Sequence, residues 1–387
     1  MAGRSAAIVG AGIGGLAAGL ALLKQGWQVH IYEQSSDIRI LGASIYIWEN
    51  GLRVLETLGI FDQVVADAIQ VRIRERRDAG GKLFGIENTA SSGRLYLPLR
   101  RALLMALRDG VVAAGGKITF GRGGVTADPA GSVTFSDGSK AEADLVVGAD
   151  GINSRVRDSL GMLQWRKDAG QYGYRVMIRR EAAELADEGR NRICEHWQGS
   201  RRLLYAPSTK DLAYVQLTSV RGDPAAGGPF DRASWLATFP HLDWLIERIP
   251  MDGKGDWFET VRLKRWATGR VALIGDAASG QPPFLGQGGG IAMTSALSLA
   301  HALSTHDDIG QALAAWEQSE RRFVEWVQSV SRFYGELALL PPGLRRLALK
   351  AIGSNAWLRR RTIRCAAVRV PIGASPDARV IEMAGAT

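Results

Sequence analysis

The sequence predicts an α/β architecture: a glycine-rich parallel-sheet domain, split by an inserted antiparallel-sheet domain and followed by a helical C-terminal tail. Three observations carry this reading. Residues 6–33 run as strand, glycine turn, helix and strand. From about 165 to 262 the pattern changes to short alternating segments, the period of half-buried strands. A buried strand at Val271–Ile274 and a long apolar helix at Ile291–Leu303 then return the chain to the first type.

Taken in order, Ala6-Ala7-Ile8-Val9 is a short buried strand. Leu16, Leu20 and Leu23 recur at helical spacing, Gly26 is placed to end that helix, and Val29-His30-Ile31-Tyr32 is the next strand. The unit is a βαβ entry with a right-handed crossover, hence Rossmann-like. Leu52–Leu58 reads as a short helix with Asn50 as its N-cap and Gly59 past its end. A further helix covers 100–116. Strands at 117–120, 132–136 and 144–149 suggest a small β-meander. In the inserted region Tyr172–Ile178, Arg202–Ala206 and Leu212–Ser219 read as strands, and 234–248 as helical. After Pro341 the tail is helical and basic, with Arg359, Arg360 and Arg361 in a row.

Composition narrows the class. With 387 residues, 46% hydrophobic and 22% charged, the chain is long enough for two or three domains and is neither disordered nor collagen-like. Its 47 glycines are well above the usual share and point to tight turns and close backbone approach to a ligand. A net charge of +9 suits an anionic partner of some kind. Two cysteines, Cys194 and Cys365, supply neither a disulfide framework nor a metal cluster. His30 lies on a strand and reads as structural; His241, His301 and His306 have no companion ligands at metal spacing, so no metal is expected. No uninterrupted apolar run of membrane-spanning length occurs, and the glycine-broken N-terminal run lacks a cleavage site, so a cytoplasmic location is expected.

Three separated motifs carry chemistry. The first is Gly10-Ala11-Gly12-Ile13-Gly14-Gly15. Here Gly10 permits the sharp turn, Gly12 admits a pyrophosphate to the backbone, and Gly15 lets helix pack on strand, while the helix N-terminus faces the negative charge. Glu33 closes the second strand, where a carboxylate meets ribose hydroxyls. The second motif runs from Asp144 to Gly151, ending Asp150-Gly151, then Ser154-Arg155-Val156-Arg157. The third runs from Gly269 to Ala278 through Gly275-Asp276, then Pro282-Pro283 and Gly286-Gln287-Gly288-Gly289-Gly290. A carboxylate after a strand and a glycine suits a ribose or ribityl contact. The glycine run opens a helix whose amides stabilise an electron-rich ring.

Together these motifs resemble, over roughly residues 5–335, the single-component FAD-dependent aromatic hydroxylases of the para-hydroxybenzoate hydroxylase-like family. The resemblance implies FAD, held non-covalently, with Gly10, Gly12, Gly15 and Glu33 at its ADP part. It places Arg100 on the FAD and Asp150 and Gly151 at both FAD and pyridine nucleotide. Asp276 falls at the ribityl and pyrophosphate portion, and Pro283 beside the isoalloxazine. Ile13, Gly14, Gly275, Gly286, Gly288 and Gly289 complete the expected cofactor cradle. Two departures stand out: Ser279 replaces the usual histidine, and Gly288-Gly289-Gly290 replaces a Gly-Leu-Asn ending. The stretch from Gly42 to Leu55 resembles the corresponding part of 2-methyl-3-hydroxypyridine-5-carboxylate oxygenases, which open a pyridine ring.

The activity so implied is monooxygenation of an activated aromatic or N-heteroaromatic ring, of hydroxypyridine or hydroxybenzoate type. NADH or NADPH would reduce the FAD, and O2 would add at flavin C4a to give a hydroperoxide. A related reductase or halogenase, or a flavin-binding redox protein without catalysis, are the rivals. An anionic substrate carrying a carboxylate is expected, held bidentately by Arg202 with Arg175 in reserve, and with Tyr214, Gln216 and Thr218 on one strand face. Tyr46 and His196 read either as pocket residues or as core. The FAD-binding domain is assigned 1–70, 96–164 and 263–335, the substrate domain 71–95 and 165–262, and a C-terminal helical segment 336–387. No nucleic-acid module is visible, and a homodimer is admissible.

Overall fold

The computed structural model describes residues 3–38, 44–90, 92–181, 192–362 and 364–375. Gly42 and Ala43, which open the pyridine-oxygenase-like stretch, lie outside them.

The first strand, Ser5–Val9, is apolar on both faces because it is central: it pairs in parallel with Gln28–Tyr32 on one side and Leu145–Gly148 on the other. Lys117–Thr119 extends the sheet beyond Gln28–Tyr32, and Val271–Leu273 with Ala267–Thr268 extends it beyond Leu145–Gly148, making six strands. Helix Ile13–Leu23 is buried along almost its whole length, between this sheet and helix Gly288–Thr305. The latter is backed by the 28-residue helix Ile309–Glu336, whose buried Trp316 donates Nε1–H to the Ser295 carbonyl at 3.1 Å. No helix among the described residues is long and apolar enough to cross a membrane.

The second layer is a seven-stranded sheet. Its spatial order is Lys254–Leu263, Leu163–Arg179, Leu212–Val220, Arg201–Pro207, Arg192–Gln198, Ile73–Asp78 and Leu83–Asn88. It is mixed rather than purely antiparallel as expected. Arg192–Gln198 pairs in parallel with Ile73–Asp78, because the two come from sequence-distant segments and no hairpin sets their direction. The back of the sheet is closed by Arg232–Thr238 and Asp243–Ile246, around Phe239, Leu245 and Ile249.

Two local expectations are corrected. The three-stranded meander is Gly124–Asp128, Ser132–Phe135 and Lys140–Glu142, whereas the strands near 117 and 145 belong to the parallel sheet. Their parallel pairing with Gln28–Tyr32 and Ser5–Val9 outweighs their closeness in sequence to the meander. Asn50 is not a cap: the helix begins one residue earlier, as Glu49–Leu58, and Asn50 turns inward to donate to Gln287 Oε1 at 3.1 Å. Gly59 does end that helix, at φ 76°.

A Cβ at Gly59 would meet only Lys24 Nζ, at 3.8 Å, so its cost is purely conformational. Gly59→Ala is expected to destabilise the protein by about 1 kcal/mol. Thermal melts should show a lowered Tm, with Gly59→Asn intermediate, and an unchanged Tm for alanine would contradict the assignment.

Candidate active site

The dinucleotide cradle starts where Ser5–Val9 ends. Gly10 sits at φ 106°, and a Cβ there would lie 2.4 Å from the Ala149 carbonyl oxygen. At Gly15 a Cβ would lie 2.0 Å from the Gly10 carbonyl oxygen. These two glycines are demanded by the protein's own packing. Gly12 is different: its φ of −77° suits any residue, and a Cβ there would meet nothing within 4 Å. The fold does not need glycine at 12, which leaves open space over the helix N-terminus beginning at Ile13. Beside it Glu33 accepts from the Ala11 amide at 2.8 Å and the Ser35 amide at 2.9 Å, tying the second strand to the glycine turn.

The other two motifs close on the same place. Asp150 Oδ2 accepts from the amides of Arg155 and Val156, while its buried Oδ1 has no hydrogen-bond partner, and burial raises its carboxyl above the ordinary range. Gly151 lies next to it at φ 82°. Gly275, at φ 60°, turns the third strand end toward Gly14, where a Cβ would be 3.7 Å from the Gly275 Cα. Burial also raises the Asp276 carboxyl, opposed by the Arg100 guanidinium. Arg100 begins helix Arg100–Ala113, and burial lowers its own affinity for the proton. Its Nε is buried without an acceptor. Arg157, in the second motif, has a structural part that its spacing alone does not reveal. It is fully buried and donates to the carbonyls of Ile152 at 3.0 Å and Ala277 at 3.4 Å, clamping the second motif to the third.

The third motif continues into a short turn, Pro283–Leu285, held from three directions. Ser331 donates to the Pro282 carbonyl at 2.6 Å, Trp48 Nε1 to the Leu285 carbonyl at 3.2 Å, and Asn50 to the Gln287 side chain. Gly286 has φ 62°, and a Cβ there would press on Tyr46 at 2.8 Å. Helix Gly288–Thr305 begins just after. At Gly288 a Cβ would meet nothing within 4 Å, and at Gly289 it would come within 2.6 Å of the Ile45 side chain and 3.6 Å of Ile13. Two helix N-termini thus converge. Ser279, the departure from the expected histidine, donates to the Gly275 carbonyl. The open faces of Gly12 and Gly288, the unpartnered Arg100 Nε and Asp150 Oδ1, and the paired helix ends all fit FAD, with anionic oxygens and an electron-rich ring.

The facing side of the seven-stranded sheet brings Arg202, Tyr214, Gln216 and Thr218 together. Arg202 pairs with Thr218 across the ladder, and Tyr214 donates to Gln216 Oε1 at 3.0 Å. Arg175 opposes Gln216 in the register but is engaged by Asp256. Arg202 is buried, with its guanidinium 5.7 Å over the Phe284 ring of the Pro283 turn. Sequence reasoning missed its partner. Glu195 lies 3.3 Å from Arg202 and 2.8 Å from Arg74, and Tyr334 donates to its second oxygen at 3.3 Å. Burial alone would raise the Glu195 carboxyl, but Arg202, Arg74 and Arg76 bring it down to about 2. Period-two alternation from Trp197, which opposes Arg202, was the available signal. Tyr46 stands between the Gly286 turn and this face, its buried hydroxyl unpartnered. Burial raises Tyr46 and pushes Tyr214 up to about 12, so both keep their protons at neutral pH.

His196 is not brought to that face. It neighbours Glu195 and Trp197 on a strand, so it points to the opposite side, where its Nδ1 is 3.1 Å from His241 Nε2. Burial, followed by His241 and Arg77, holds His196 down to about 3.

Two outcomes follow from this geometry. Gly15→Ala should lower stability well beyond Gly12→Ala, which stays within about 0.5 kcal/mol of wild type in denaturant titrations; equal losses would refute the division of roles. For His196, folded and unfolded chains are both neutral above pH about 6.5. As the pH falls from there toward the depressed folded value, only the unfolded chain takes the proton, and stability is lost. His196→Gln should flatten stability against pH across that window, and an unchanged slope would contradict the buried neutral ring.

Comparison with known proteins gives the family. The FAD binding domain family matches residues 4–324. AqdB1 of Rhodococcus erythropolis is 41% identical over 371 residues, 95% of this chain and 97% of its own. A 2-heptyl-3-hydroxy-4(1H)-quinolone synthase of Mycobacteroides abscessus is 38% identical over 360 residues, 92% and 96% of the two chains. The solved tetrameric form of 2-methyl-3-hydroxypyridine-5-carboxylic acid oxygenase superposes with a TM-score of 0.85 at 32% identity, over 96% of this chain and 98% of that one. With the glycine cradle, the paired helix N-termini and the sheet across from them in place, the chain belongs to the single-component FAD-dependent monooxygenases that act on aromatic and heteroaromatic rings with NAD(P)H and O2.

Proposed function

We propose that the protein hydroxylates an N-heteroaromatic ring of hydroxypyridine or quinolone kind, held by a ring oxygen at Arg202. The observation that carries this is the placement of the Arg202 guanidinium over Phe284, at the meeting of the sheet face with the Pro283 turn. One terminal nitrogen of Arg202 is committed to Glu195, while Nε is buried without an acceptor. The fork therefore offers single donors, which suit one electron-rich oxygen better than a bidentate carboxylate. The names of the similar proteins, a 3-hydroxy-4-quinolone synthase and a 3-hydroxypyridine oxygenase, support the same class.

In this reading Arg74, Arg76 and Arg202 outnumber Glu87 and Glu195 on the buried face, and the cationic surplus favours the ring oxygen in its anionic form. Tyr46 and Tyr214 stay protonated and donate hydrogen bonds. The packed Phe284 and Trp48 keep water from the reacting side. Bound in the cradle, FAD supplies transfer of electrons from NAD(P)H to O2 and delivery of one oxygen atom to the ring. Residues 1–70, 96–164 and 263–335 act as the cofactor domain, and 71–95 and 165–262 as the substrate domain.

The purified protein should be yellow, with about one non-covalent FAD per chain; Glu33→Ala and Asp276→Ala should release it, each losing charge-assisted bonds worth roughly 1.5–3 kcal/mol. Substrate-stimulated NAD(P)H oxidation, run over hydroxypyridines, quinolones and hydroxybenzoates, tests the substrate class. Arg202→Lys should raise KM or lower product per NAD(P)H while FAD content holds. Unchanged kinetics with the best substrate would remove Arg202 from the site, and a best substrate without a ring oxygen would remove the proposal.

A further inference from the structure

We infer that the C-terminal helical segment is a docking surface for the anionic headgroups of a lipid bilayer. Between Leu337 and Ser375 the sequence carries eight lysines and arginines, from Arg345 to Arg369, and no aspartate or glutamate. Over the whole segment 336–387 the balance is nine cations against Glu336, Asp377 and Glu382, a net +6 of the chain's +9. Helix Pro342–Ser354 turns Arg345, Leu349 and Ile352 toward the protein. On its solvent half, Leu344, Leu347 and Ala351 recur at helical spacing along one stripe, with Arg346 and Lys350 along the stripe beside it. The next helix, Ala356–Arg361, adds Trp357 and the run Arg359–Arg361, with the Arg361 guanidinium 5.2 Å over the Trp357 ring.

The apolar members are unusually open for a folded surface: Leu339, Leu344, Leu347 and Trp357 are 57% to 65% exposed. Not every cation is available. Arg345 and Arg364 are buried, Arg346 pairs with Asp78, and Arg369 pairs with Glu320. Lys350, Arg360 and Arg361 remain at the surface. Exposed leucine and tryptophan beside lysine and arginine is the composition of a helix lying in a headgroup layer. The charge argues against a second copy of this chain on the same face, since two such surfaces repel. The apolar stripe argues against nucleic acid, whose phosphates call for cations and leave leucines unexplained. Since no described helix crosses a membrane, the association is with the surface only.

The test is co-sedimentation of the full-length, FAD-loaded protein with vesicles of phosphatidylcholine alone or mixed with phosphatidylglycerol, at low and high salt. Binding to the mixed vesicles only, weakened by salt, is the expected result. Arg360→Gln with Arg361→Gln should weaken partitioning about five-fold per charge removed. Leu344→Gln with Leu347→Gln should also reduce it, and both pairs should leave NAD(P)H oxidation intact. Equal binding to both vesicle types, no binding to either, or variants that bind like wild type would overturn the proposal. Two further results would also overturn it, by reassigning the surface: capture of a DNA duplex where vesicles are not bound, or a dimer dissolved by the leucine substitutions without vesicle binding.

Discussion

The structure hangs on how closely helix Ile13–Leu23 approaches the end of the first strand. The space between the Gly15 Cα and the Gly10 carbonyl admits no side chain, so the helix N-terminus is pulled down against the sheet. That position brings Gly14 beside Gly275 and Ala292, and Ile13 beside Gly289, so the start of helix Gly288–Thr305 is set against the start of the first. Partial positive charge from both helix ends then falls in one place. Everything expected of an anionic, electron-rich cofactor depends on this juxtaposition. Next to it Arg157 bonds the main-chain carbonyls of Ile152 and Ala277, which holds the second motif to the third and which a small or apolar side chain could not do.

A second constraint acts across the interface between the sheets. Glu195, Arg74, Arg76, Arg202, Glu87 and Tyr334 form a buried polar network, with Arg74 over the Trp48 ring and Arg202 over Phe284 and Trp197. Burying so many charges is costly unless they satisfy each other. Here the pairing is incomplete, since Arg74 and Arg202 each retain an Nε without an acceptor. A network that leaves buried donors unmatched is poorly suited to pure stability and well suited to receiving an electron-rich group. Glu195 also fixes the Arg202 guanidinium against the Pro283 turn, so the sheet face and that turn form one unit. Tyr46 joins them from a third element, through its packing under Gly286.

The cofactor motifs were legible in the sequence because their geometry is local. A glycine that must sit at φ 106°, or lie under a carbonyl two ångströms from where its Cβ would be, is specified by a few neighbouring residues. The same holds for the apolar strands, for Gly59 at a helix end, and for the alternation that grouped Tyr214, Gln216 and Thr218. Local pattern also separates adjacent positions: Arg201 faces Asp223 on the far side while Arg202 faces inward.

Strand partnership was not legible, because any extended segment satisfies its backbone equally well with several others until packing chooses among them. Only the folded chain sets Arg192–Gln198 parallel to Ile73–Asp78, and that pairing brings Arg74 and Arg76 to Glu195. It also decides that His196 belongs to the back of the sheet with His241, since a residue's face depends on which neighbour its strand pairs with and where the core lies. The sequence alone determined the family chemistry, through motifs whose stereochemistry leaves little choice. The tertiary structure decided which charged side chains meet across the buried face, because long-range electrostatic partnership is a property of register and burial, and neither is written in the spacing of residues.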